Sequence, residues 1–144
     1  MRQMIIALLF YWSFNTYATE MVREQGFEVQ VQPFPSTFLT QDVASTYGFE
    51  RSRRQALINV VVLKIGPDGQ ARGAVAASIN GFSKNLIGQT QTLTFREIDE
   101  GDDAIYYLAP LRVSSEEEIQ IALEVIPVNA RAIDVKFDHK VYVD

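Results

Sequence analysis

Few side chains in this chain could do chemistry, and their spacing decides most of them. His139 is the single histidine, and with serines and aspartates available it could in principle serve a hydrolytic triad. It falls, however, on the apolar parity of a terminal alternating stretch, and no G-x-S-x-G elbow exists in the sequence. A core or barrel-end histidine is the expectation. The acidic run at 99–103, with Asp99, Glu100, Asp102 and Asp103, offers the oxygen ligands that calcium takes. It lacks the D-x-D-x-D-G register that places such ligands around an ion, so it reads as a solvated turn. Glu116, Glu117 and Glu118 read the same way, as a charged corner. Arg51, Arg53 and Arg54 stand out in an otherwise acidic chain, since a guanidinium fork holds a carboxylate or phosphate by two points. The plain expectation is that these arginines flank a buried strand and pair with local acids; the alternative is an anionic partner. Cysteine is absent, which removes thiol nucleophiles, thiolate metal sites and a lipid-attachable thiol. No catalytic residue, metal site or cofactor is therefore assigned.

These residues sit among elements that are mostly strands. Residues 26–34 alternate Phe27, Val29 and Val31 with Glu28, Gln30 and Gln32, the period of a half-buried strand, and Pro33 and Pro35 should end its ladder by removing donors. A short helix follows, with Thr40 as cap, Asp42 in its first turn and Gly48 as the left-handed stop. Val43 and Tyr47 share one face of it. Residues 55–65 are apolar on both parities and rich in β-branched side chains, which predicts a central strand. Gly66-Pro67-Asp68-Gly69 is a turn leading to a hairpin partner at 73–83, where Gly81 should mark a bulge or bend. Further strands are expected at 90–97, at 104–113, where Pro110 implies an edge or a bulge, at 119–125 and at 132–143. About seven strands with short turns, one small helix between the first two and no βαβ rhythm predict an all-β fold. The architecture expected is an antiparallel immunoglobulin-like β-sandwich, with a small barrel as the alternative.

The chain of 144 residues, 47% apolar and 22% charged, suits one domain. Its net charge of -5 opposes nucleic acid as a partner. Arg2 followed by the apolar run at 4–14 has the shape of a secretory signal, with Thr16 and Ala18 at the pocket positions of a cleavage site. A signal peptide at 1–18 and a single domain at 19–144 follow, with a periplasmic destination and no stable membrane span after cleavage.

The motifs F-P-S-T-F-L-T at 34–40, V-A-S-T-Y-G at 43–48, R-S-R at 51–53, L-I-N-V-V-V-L at 57–63 and N-L-I-G-Q at 85–89 occur in one order along the chain. In this the chain resembles the domain-of-unknown-function family numbered 4426, small exported proteins of Gram-negative bacteria. The resemblance implies an exported β-sandwich and carries no established activity, ligand or catalytic residue.

The functional expectation is thus a non-catalytic binding or adaptor module that recognises another envelope protein. Residues 34–54 or a free strand edge would make the contact. In the structural account Phe34, Phe38, Leu39, Val43 and Tyr47 cap an open end of the sandwich, with Ser36, Thr37 and Thr40 fixing turns. In the binding account Phe38 or Tyr47 is exposed beside Arg51, Arg53 and Arg54, an aromatic and arginine pairing typical of interfaces. The other readings are a carboxylate-dependent hydrolase acting on envelope glycan, which needs two facing carboxylates, and a carrier of a small apolar ligand, which needs a cavity between sheets.

Overall fold

Alternation of apolar and polar residues dominates the chain, and the computed structural model, which describes residues 19–101 and 104–141, turns it into ten strands. They are β1 (Glu20–Glu24), β2 (Phe27–Pro35), β3 (Gln55–Ile65), β4 (Ala71–Ala74), β5 (Ala77–Asn85), β6 (Thr90–Leu93), β7 (Arg96–Asp99), β8 (Ile105–Arg112), β9 (Glu118–Pro127) and β10 (Ile133–Lys140). Between β2 and β3 lie a 3-10 turn, Ser36–Phe38, and a helix, α1 (Gln41–Tyr47). The segment expected to be a signal peptide lies outside the described residues. Among the described residues no helix is long and apolar enough to cross a membrane.

All strand pairs are antiparallel and form two sheets. The first has six strands, ordered β1-β2-β3-β8-β7 with β4 also on β3; the second has four, ordered β10-β9-β5-β6. Leaving β1 and β4 aside, these are the A-B-E-D and G-F-C-C′ orders of an immunoglobulin-like sandwich. The core lies between the sheets. Val29, Val31, Ile58, Val60, Val62, Ala109 and Leu111 of one sheet meet Ile121, Leu123, Val125, Ile133 and Val135 of the other. Tyr107 joins the sheets by hydrogen bonds as well, accepting from the Ala77 N–H at 2.9 Å and donating to Glu97 Oε1 at 2.9 Å.

Several local expectations change. Pro33 and Pro35 do not stop β2, whose pairing with β3 runs on through Pro33↔Ile58 to Pro35↔Ala56. They lie past the end of β1, where β2 has one neighbour and the outward side needs no donor. Pro110 sits similarly: it pairs with Leu57, while β7 ends its cover of β8 at Leu108. The stretch at 73–83 is not one hairpin partner. β4 returns along β3, and β5 then crosses to the other sheet. Likewise 90–97 divides into β6 and β7, one in each sheet. Gly81 makes no bulge, since it pairs in register with Leu93 and Leu123. Glycine is needed there because a Cβ would fall 2.6 Å from the Ala122 carbonyl oxygen and into the Leu123 side chain.

Candidate functional site

Residues 34–54 do not cap an end of the sandwich; they cover the outer face of the six-stranded sheet. Leu57 on β3 and Leu108 on β8 point away from the main core and are buried with Leu39, Val43, Ala44 and Tyr47 of the cover, with Phe34 of β2, paired with Leu57, and Ile98 of β7 completing the cluster. This is why residues 55–65 are apolar on both parities: β3 has a core on each side.

The cover is closed at its base by serines. Ser36, fully buried, donates from Oγ to the Ser52 carbonyl at 2.8 Å and accepts from the Ser52 N–H at 2.9 Å. Thr40 caps α1 by accepting from the Val43 N–H at 3.2 Å, and Gly48 ends it with φ 76°. Tyr47 closes the far side. Its hydroxyl donates to Glu100 Oε2 at 2.9 Å inside the cluster, and its carbonyl accepts from the Arg96 guanidinium. Burial, and then the nearby Glu100 carboxylate, push the Tyr106 hydroxyl above its ordinary pKa.

The residues named as a possible interface therefore separate. Tyr47 is 8% exposed and belongs to the cover's packing; Phe38 is half-buried at its margin. Arg51, Arg53 and Arg54 are exposed. They do not pair with local acids, because the ion pairs among the described residues are Arg23 with Glu28 and Arg72 with Asp68. Arg51 makes one bond, to the Thr37 carbonyl at 3.2 Å. His139, on the inward parity of β10 opposite Ile119, is half-buried, and that burial lowers its pKa from the ordinary 6.5.

Two features escaped the sequence reading. The first is a groove of about 680 Å³ beside the cover's exit, lined chiefly by Ser83, Asn85, Gln89, Gln91, Arg112 and Glu117. The Gln91 carboxamide shapes it by accepting from the Arg112 N–H at 2.9 Å and donating to the Arg112 carbonyl at 2.7 Å, a side chain standing in for a strand beyond the end of β7. Arg112 pairs with Gln55, and the Val113 N–H donates to the Arg54 carbonyl at 2.8 Å, so the groove's rim adjoins the three arginines. The second is the loop tip between β5 and β6, where Leu86 and Ile87 are 80% and 78% exposed. An isolated arginine at a strand end carries no distinctive pattern, and N-L-I-G-Q at 85–89 marks a motif without showing that Leu86 and Ile87 stand exposed.

The groove's lining holds one carboxylate, Glu117, which accepts from the Ser114 N–H at 3.1 Å and from the Asn85 amide at 3.3 Å. A two-carboxylate hydrolysis needs a second acid facing it, and the lining supplies none. Between the sheets the apolar side chains of both inner faces form one buried cluster.

Fold and site together define a small immunoglobulin-like β-sandwich with a helical cover on one sheet and a polar groove at one end. The chain belongs to the DUF4426 family, a domain of unknown function, whose profile matches residues 22–144. A family member from Pseudomonas aeruginosa, known from its crystal structure, is 30% identical with a TM-score of 0.75, over 88% of this chain and 96% of that one. A copper-bound variant of FetP from uropathogenic Escherichia coli has the same fold at 12% identity and a TM-score of 0.65, over 89% of this chain and 97% of that one. FetP as isolated, recombinantly expressed in the periplasm, is similar at 13% identity and a TM-score of 0.64, over 89% and 96%. No curated protein sequence matches the chain. The likeness to FetP concerns the backbone. Among the described residues no three His, Cys, Asp or Glu side chains come together in one group.

Proposed function

We propose that this protein is a periplasmic binding module that recognises an acidic segment of another envelope protein at the end of the sandwich where the cover meets the groove. One observation carries the reading: Arg53, Arg54 and Arg112 place exposed guanidinium groups there with no hydrogen bond or ion pair to the described residues, on a chain of net charge -5. Guanidinium forks left uncommitted within the protein are available for two-point contact with carboxylates, and arginine is enriched at interface anchors. Arg51, held to Thr37, and the half-buried Phe38 border the same surface, and the exposed Leu86 and Ile87 add an apolar anchor across the groove. Export through residues 1–18 agrees with this surface, and the periplasmic expression of FetP, a protein of like fold, is in keeping with it.

The test is crosslinking in the native envelope followed by mass spectrometry, comparing wild type with the triple change Arg51→Ala, Arg53→Ala and Arg54→Ala. The exposed guanidiniums contribute little to folding, so the variant should fold normally and lose its partner. An unchanged partner set removes the arginines from the reading. N-terminal sequencing of the exported protein should find Thr19 first.

A further inference from the structure

Among the described residues β10 is the longest edge strand. At the other edges β4, β6 and β7 have four residues each and β1 has five, against eight in β10, and β6 is tied across to β8 by Gln91. No strand among the described residues lies outside β10.

Backbone parity shows which residues that edge presents. The Val141 N–H donates to the Glu117 carbonyl, so the odd-numbered residues of β10 bond to β9. On the far side of β9 the Val128 N–H donates to the Ala76 carbonyl, which turns the even-numbered residues of β9 toward β5 and agrees with that parity. Asp134, Lys136, Asp138 and Lys140 therefore direct their backbone N–H and C=O groups outward along the edge, and all four residues are exposed.

Their charges alternate in sign, and in an antiparallel pairing with a second copy this pattern complements itself. Edge-facing residues must stand opposite edge-facing residues, which restricts the registers. With the two-fold axis at Phe137, Asp134 faces Lys140 and Lys136 faces Asp138, each pair occurring twice. Moving the axis to Lys136 sets lysine against lysine and Asp134 against Asp138; moving it to Asp138 sets aspartate against aspartate and Lys136 against Lys140. A run of one sign would repel a second copy in every register, which is the usual protection of an edge. Alternation repels in the neighbouring registers and attracts in this one. On the other face the same axis brings Phe137 against Phe137 and the buried Val135 against His139, closing the half-buried Phe137 and His139 at the sheet's margin.

We infer that the protein forms a two-fold homodimer by antiparallel pairing of β10 with β10 centred on Phe137, joining the two four-stranded sheets into one. The inference is independent of the arginine surface.

The test is a charge swap read by sedimentation velocity over a concentration series. The acidic variant Lys136→Glu with Lys140→Glu, and the basic variant Asp134→Lys with Asp138→Lys, each turn every cross-strand pair repulsive. Each should weaken self-association by about tenfold or more relative to wild type, and their equimolar mixture should regain a one-to-one dimer. Amide exchange at Asp134, Lys136 and Asp138 should slow as wild-type concentration rises. A wild type that stays monomeric throughout, variants that associate as wild type does, or a mixture that stays monomeric overturns the inference. So does a dimer whose β10 amides exchange no more slowly than in the monomer.

Discussion

Replacing Tyr107 by phenylalanine removes one oxygen atom and tests how the two sheets are held together. The ring is 4% exposed and stays in place, so the change leaves no large cavity. What is lost is the acceptor for the Ala77 N–H, at the first residue of β5, and a donor to Glu97. A fully buried amide left without a partner costs about 1–3 kcal/mol; Ala77 is half-buried, which favours the lower part of that range, about 1–2 kcal/mol at neutral pH. The same hydroxyl supplies a second readout. Burial, followed by the Glu97 and Asp99 carboxylates and opposed by the Ala77 N–H, pushes its pKa from 10.0 up to about 12. Between those values the unfolded chain releases the proton while the folded protein keeps it. Unfolding is therefore favoured as pH rises above about 10, and the wild type loses stability there that the variant does not lose. Urea denaturation of both proteins at pH 7 and across the alkaline range should show a gap of about 1–2 kcal/mol that narrows as pH rises. Equal stability at neutral pH, or a gap that stays constant through the alkaline range, would refute the hydrogen-bonded bridge between sheets.

Two further outcomes follow from the structure. Gly81→Ala drives a methyl group against the Ala122 carbonyl and Leu123, and should cost about 1–3 kcal/mol in urea denaturation; a loss near zero would show that β9 moves aside freely. Burial lowers the pKa of His139, so as pH falls below about 6.5 the unfolded chain takes the proton first and stability declines; His139→Gln should flatten that acid-side slope, and an unchanged slope would place its origin elsewhere.

The sandwich was legible because alternation is strict where it matters: β9 and β10 bury one parity and leave the other more exposed, and β2 alternates in residue type as far as Gln32 although both its faces are covered. The helix was legible for a local reason, as Thr40, Asp42 and Gly48 carry their roles in their own chemistry. Sheet membership was not. The residues of β6 and β7 continue a single alternation, and nothing in the pattern says that the chain leaves one sheet for the other near Phe95. β1, reading E-M-V-R-E, has two apolar residues side by side and is held by its pairing with β2 rather than by periodicity. For the site, the motif at 34–40 marked an unusual segment, but which surface it covered depended on Leu57 and Leu108, which are distant in sequence. The arginines gave away their composition and not their surroundings: whether acids lie within reach is a fact of tertiary structure.

The cover has a property that follows from its closed base. Because Ser36 and Ser52 clasp each other, the intervening chain begins and ends at one spot and forms a closed loop packed on the outer face of the sheet, apart from the inner core. Cleavage within this loop that loosened it would bare Leu57 and Leu108 on the outer face of the sheet. Such damage would expose an apolar patch that favours association, so the colloidal stability of the protein rests on the same segment that completes the second core.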